Sequence, residues 1–198
     1  MQDKEDPQMG DILLHKGDYV FSYRVAGILV HNDKVLLQKP GNDDGYAFPG
    51  GHVAFGETSA ETLRREFLEE LGMDITVGIL EWVSEIFFFW GDKPCHQVCL
   101  YYSVSMDDAF TLQEKDRFLG SEAVHSDESS LWFYWIPVKD AQKTLIYPEN
   151  AKTLLPLLGL GVQHFVYHEN ADGISGHTDA IKARKAKTGA AVGRHNPQ

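Results

Sequence analysis

The sequence predicts an α/β domain, and three observations lead there. Runs rich in Val, Ile, Phe and Tyr recur from Tyr19 to Tyr167 at strand-like lengths. A helix over 59–71 is signalled at both ends, and 138–145 and 148–158 read as two shorter helices. The two kinds of element are interleaved along the chain, which is the α/β pattern. With 198 residues and a hydrophobic content of 43%, the chain suffices for one domain with a good-sized core.

In chain order, Tyr19 to Val30 reads as a strand, "HNDK" as a turn and "VLLQK" as the returning strand of a hairpin. "PGNDDGYAFPGG" follows as a loop dense in Gly, Pro and Asp, the kind of segment that carries binding groups on a rigid scaffold. Thr58 with Glu61 makes a capping box for the helix, and Gly72 supplies the left-handed position that ends it. At about 100° per residue, Ala60, Leu63, Phe67 and Leu71 share a packing stripe while Glu66, Glu69 and Glu70 share the adjacent one. Strands are expected at 75–90, 96–104, 131–137 and 163–168. The domain is expected over 19–170, after an N-terminal segment 1–18 and before a tail 171–198. The tail holds five Lys/Arg against two Asp, so it carries +3 and leaves −14 for the rest; it is expected to be flexible.

The formal charge of −11 disfavours a nucleic-acid polymer as partner, because polymer binding shows a basic footprint. A small phosphorylated ligand is compatible if a cation mediates. "MQDKEDPQMGD" has no apolar h-region, and Glu81 and Glu85 interrupt the aromatic run near Phe87, so no membrane partner is expected and the protein is placed in the cytoplasm. Cys95 and Cys99 are four apart on one strand face, a poor disulfide pair and an incomplete zinc set, so buried free thiols are expected.

The stretch "GGHVAFGETSAETLRREFLEELGM", Gly50 to Met73, carries the chemistry. Like charges three and four residues apart on a helix repel by roughly 0.2–0.5 kcal/mol per pair. Glu66, Glu69 and Glu70 therefore need a compensating charge. Carboxylates at i, i+3 and i+4 suit a hard divalent cation such as Mg²⁺, which takes oxygen ligands and keeps waters or substrate phosphates in its shell. Gly50, Gly51 and Gly56 let the loop backbone approach that face. Glu clusters on helices are usually a solvated face, and only the joint pattern lifts this one above that reading.

Gly51, five residues, Glu57, seven residues, then Arg65-Glu66-Phe67-Leu68-Glu69-Glu70-Leu71-Gly72-Met73 resembles the Nudix box of the Nudix hydrolases (MutT-like). Seven fixed positions at roughly 1 in 20 each and two apolar ones at about 1 in 3 leave a chance match near 10⁻⁸. Phe67, where the family more often has an aliphatic residue, and Tyr46, where many members have Trp, are mild departures. The resemblance implies a Nudix α/β/α sandwich with a mixed β-sheet between helices. It also implies hydrolysis of a nucleoside diphosphate linked to some other moiety X, with Mg²⁺ or Mn²⁺ as cofactor.

By that resemblance Glu69 and Glu70 are the main metal ligands, Glu66 is a further ligand or the base, and Gly50 lends a carbonyl. Glu57 and Arg65 match the structural ion pair. The general base is a box glutamate, Glu66 or Glu70, or a carboxylate further along, for which Glu128 is the candidate and Glu122 the second. Tyr23, Arg24 and Tyr46 are candidate substrate contacts, with the "FFFW" run at 87–90 behind them. The expected partner is a small-molecule nucleotide: a nucleoside triphosphate, ADP-ribose or a nucleotide sugar. A homodimer stays open. The competing reading is a Nudix-like sensor that binds a nucleotide without cleaving it, and the intact box argues against it.

Overall fold

A computed structural model of the chain describes residues 10–40, 45–106, 116–120 and 131–169. In chain order the elements are β1 (Leu13–Lys16), β2 (Tyr19–His31), β3 (Lys34–Pro40), α1 (Ser59–Leu71), β4 (Ile75–Trp90), β5 (Lys93–Met106), β6 (Arg117–Leu119), β7 (Leu131–Pro137), α2 (Ala151–Leu154) and β8 (Gln163–His168). Short 3₁₀ helices occupy Val138–Lys143 and Leu155–Leu157. The strands form one mixed sheet in the order β6-β7-β3-β2-β5-β4-β8, with β1 paired to β2. β1 and β6 are strands that the sequence did not announce, and β1 draws part of segment 1–18 into the sheet. The tail 171–198, Glu122 and Glu128 lie outside the described residues.

β2 organises the sheet. It runs parallel to β5 from Val20↔Cys95 to Leu29↔Val104, and pairs antiparallel with β3 only at Val30↔Val35 and His31↔Lys34. The turn between β2 and β3 places Asn32 and Asp33 at positive φ, a conformation these two residue types tolerate. Beyond that turn β2 and β3 diverge, and the glycine-rich loop fills the gap. Gly27, Val25 and Tyr23 exchange backbone hydrogen bonds with Pro49, Gly51 and Val53, while Gln38 of β3 pairs with Ala47.

α1 begins with the capping box: Thr58 Oγ1 accepts from the Glu61 amide, and the Thr58 amide donates to the Glu61 carboxylate. It ends at Gly72, φ 64°. Leu63, Phe67 and Leu71 pack against Val25, Leu29, Leu36 and Val104 of the sheet. The fourth buried position is Thr62, whereas Ala60 is half-buried. Thr62 is buried because its hydroxyl donates to Glu57 Oε2 at 2.8 Å, which satisfies it away from water. On the opposite face Phe48, Trp82, Tyr101, Ile146, Leu155 and Phe165 make the second core, under the 3₁₀ helices and α2. The result is a mixed sheet with helix on both faces. Cys95 and Cys99 are buried free thiols, each pushed up to about 11 by burial. Among the described residues no helix is long and apolar enough to cross a membrane.

The aromatic at position 67 has a partner in the sheet. A Cβ on Gly27 of β2 would sit 2.7 Å from the Phe67 ring, so the missing side chain there makes room for the larger residue. Gly27→Ala is expected to destabilise the protein by about 1–3 kcal/mol through overpacking. Combining it with Phe67→Leu should recover part of that loss in urea unfolding. Strictly additive losses would mean that the two positions do not share a contact.

Candidate active site

The site is assembled where the glycine-rich loop lies across the start of α1. Arg65 is its centre. Nε and Nη2 donate to Glu57 Oε1 and Oε2 at 2.9 and 3.1 Å, a bidentate pair that fastens the loop to the helix. Nη1 donates to Glu66 Oε1 at 2.8 Å and to Glu69 Oε2 at 3.2 Å, and Nη2 also reaches the His52 carbonyl at 3.4 Å. A guanidinium has five N–H donors, and five contacts are made. The Arg65 proton is held more tightly than usual, chiefly by Glu57, and Arg65 holds the Glu57 carboxyl below the usual carboxylate range.

Glu66 differs from its neighbours. Its side chain is only 14% exposed, and burial raises its pKa against the opposing pull of Arg65. It lies directly over Gly51, where a Cβ would collide with the carboxylate. Gly50, at φ +143°, leaves no room for a Cβ either, because Val25 and Ala26 backbone atoms fill that space. Glu69 is 46% exposed, and Glu70 is half-buried with Oε2 shielded from solvent.

The three candidate substrate contacts do not converge. Adjacent residues of a strand face opposite sides of the sheet. Tyr23 accordingly packs with the α1-side core, its hydroxyl 3.0 Å from Ser59 Oγ, whereas Arg24 faces the other way. Arg24 Nη2 donates to the Gly50 carbonyl at 2.8 Å and lines a cavity of about 380 Å³, within the range of ligand sites. Tyr46 lines the same cavity, its ring edge-on to Tyr134 with Lys39 Nζ 5.4 Å from its centroid. Phe88, Tyr147 and Tyr167 complete the aromatic walls, and Gln97 joins the polar part of the floor. Arg24 thus connects the cavity to the carbonyl beside the glutamates.

Two residues escaped the sequence reading. Gln97 follows His96 in a strand of mixed composition, with no spacing to flag it. His52 occupies a variable position of the box. Its ring lies against Trp90, with Nδ1 3.9 Å from Asp11 Oδ2 and Nε2 sealed from solvent without a hydrogen-bond partner. Burial first, and then the charge of Arg24, depress its pKa against the pull of Asp11, so the imidazole is neutral at pH 7.

The geometry can be set beside known proteins. The family model described as the NUDIX domain matches residues 22–157, well over half of the chain. Among solved structures, the mutator MutT protein of Bacillus halodurans is 18% identical, with 76% of this chain and 92% of that one covered at a TM-score of 0.53. A Nudix hydrolase from Nitrosomonas europaea is 17% identical over 75% and 79% of the two chains, TM-score 0.48. An ADP-ribose pyrophosphatase from Streptococcus suis is 12% identical over 73% and 98%, TM-score 0.44. At these identities the likeness to the MutT protein bears on the fold alone, while the family rests on the NUDIX match and on the box that lies inside it. The chain belongs to the Nudix family and is a Nudix pyrophosphohydrolase.

Proposed function

We propose that the enzyme cleaves the diphosphate linkage of a nucleoside diphosphate bonded to a second moiety, with Mg²⁺ or Mn²⁺ held by Glu66, Glu69, Glu70 and the Gly50 carbonyl. The observation that carries this reading is that Glu66 and Glu69 already converge on one cationic nitrogen, Arg65 Nη1, beside a cavity that shares Arg24 with Gly50. As the side chains stand, no group of three or more Asp, Glu, His or Cys among the described residues is gathered to hold a metal. The donor chemistry nevertheless fits, since all four proposed ligands are hard oxygens. When bound, the cation would neutralise the diphosphate and lower the pKa of a coordinated water.

The chain's own groups divide the remaining work. Arg65 fixes the loop so that the Gly50 carbonyl stays beside α1. Arg24 is the described cation at the cavity, and its unused N–H groups suit phosphate oxygens. Glu66, its side chain only 14% exposed, is proposed to take the proton of the attacking water; Glu70 is the alternative within the box. Glu128 is kept as a proposed carboxylate from outside the box. The aromatic walls hold the nucleoside end. The catalytic domain is proposed to span 19–170, extended by β1.

Three outcomes test this. Chromatography of products from nucleoside triphosphates, ADP-ribose, nucleotide sugars and dinucleoside polyphosphates should show one class cleaved with Mg²⁺ or Mn²⁺. Glu69→Gln and Glu70→Gln should each lower kcat by more than the roughly 10–100-fold that changes around a metal's ligands cost. Binding without turnover would mean a sensor module instead. Mn²⁺ should stabilise the wild type by mass action, by about 2.7 kcal/mol at a hundredfold excess over Kd, and the resulting rise in melting temperature should vanish in both variants.

The Arg65–Glu57 pair should separate from the metal site in a pH series. The folded pKa of Glu57 is depressed, so its contribution to stability is present above the unfolded value and is lost as pH falls through the folded one. Glu57→Gln should therefore show a shallower loss of stability below about pH 4.3 than the wild type, measured by urea unfolding. Equal slopes would mean that the pair does not couple to folding.

A further inference from the structure

We infer that Gln97, held from behind by Ser22, makes the cavity select a nucleobase presenting a carbonyl oxygen over one presenting an amino group; this rests on the reading above that the cavity takes the nucleoside end of the substrate. β2 and β5 lie parallel, with Ser22 opposite Gln97 and Arg24 opposite Cys99. Ser22, Arg24, Gln97 and Cys99 therefore share one face of the sheet, and Arg24 and Gln97 are diagonal neighbours in the cavity floor. Gln97 is 8% exposed and Ser22 wholly buried, so neither is an ordinary surface polar residue.

The Ser22 hydroxyl donates to Gln97 Oε1 at 3.3 Å. That contact occupies the amide oxygen at the back of the floor. The amide nitrogen, which makes no hydrogen bond among the described residues, is left to the cavity with two N–H donors. Arg24 beside it is a donor only, with one N–H committed to the Gly50 carbonyl. Where Gln97 and Arg24 adjoin, the floor is thus a donor surface; the acceptors of the lining, Gln38 Oε1 and the Glu169 carboxylate, come from β3 and from the residue after β8, and Tyr46 and Phe88 supply aromatic walls. A carbonyl oxygen of the base accepts from this surface. An exocyclic amino group meets it donor against donor and leaves both groups unsatisfied where water is excluded. A buried mismatch of this kind discriminates more strongly than a missing apolar contact.

The test uses nucleoside monophosphates, which hold no diphosphate linkage to cleave, titrated into the full chain with Mg²⁺ and followed by calorimetry and thermal shift. Inosine and adenosine 5′-monophosphates differ at the 6-position, oxygen against amino; uridine and cytidine 5′-monophosphates differ likewise at the 4-position. The wild type should bind the carbonyl member of each pair about tenfold more tightly, the scale of one hydrogen bond. Gln97→Glu, which places acceptors in the floor, should reverse the order, and Gln97→Met should abolish it. Equal binding by the wild type overturns the inference without any variant. So does a preference that survives in both substituted proteins. If no monophosphate binds while an anhydride substrate is still hydrolysed, the inference falls and the proposed activity stands. A base preference that follows Gln97 in a protein without hydrolysis keeps the inference and sinks the activity.

Discussion

One guanidinium sets the conditions for everything around it. Arg65 spends all five of its donors on Glu57, Glu66, Glu69 and the His52 carbonyl. Those contacts span the loop and the helix, so the loop cannot shift without breaking several of them together. They also supply the compensation that a helix with Glu66, Glu69 and Glu70 on one side requires. A lysine could not do the same: its point charge lacks the planar fork that meets both Glu57 oxygens while facing two other carboxylates.

The loop's position then depends on how β2 is used. β2 pairs with β3 for only two residues at its end, and the space opened by their divergence receives Pro49, Gly51 and Val53 as hydrogen-bond partners. The same strand addresses both faces of the sheet. Val25 and Leu29 bury against α1, and Arg24 and Ala26 line the cavity on the other side. The Arg24 bond to the Gly50 carbonyl links the two, because Gly50 belongs to the loop that Arg65 has fixed. The glutamate face and the aromatic cavity are therefore held in relation by two arginines in series.

Parts of this were legible in the residues because their causes are local. The caps of α1, the Leu63, Phe67 and Leu71 part of its apolar stripe and the β2–β3 turn depend on neighbours within a few positions, and the structure has them where the sequence placed them. Thr62 shows the limit: its burial follows from a bond to Glu57, which a helical wheel does not represent. β1 and β6, of four and three residues, are too short to show a period and exist by pairing with longer strands. The cavity is less local still, since Arg24, Gln97 and Tyr167 meet only through the sheet's order, and Tyr147 joins them through its backbone bond to Tyr46. Tyr23 was separable in principle, because two consecutive strand residues cannot both face one ligand.

The charge of the protein takes a different meaning once the site is seen. A net −11 looks hostile to an anionic substrate, yet long-range repulsion between exposed charges is screened beyond about 8–10 Å at moderate salt. What governs binding is the charge within that distance. There, three box carboxylates are partly offset by Arg65, and Arg24 stands on the cavity side with Lys39 above Tyr46. Arg65 is fully committed and has nothing left for a phosphate. Arg24, with one N–H used, has. The two arginines are therefore not interchangeable parts of a basic patch: one builds the site, and the other is placed to meet what enters it.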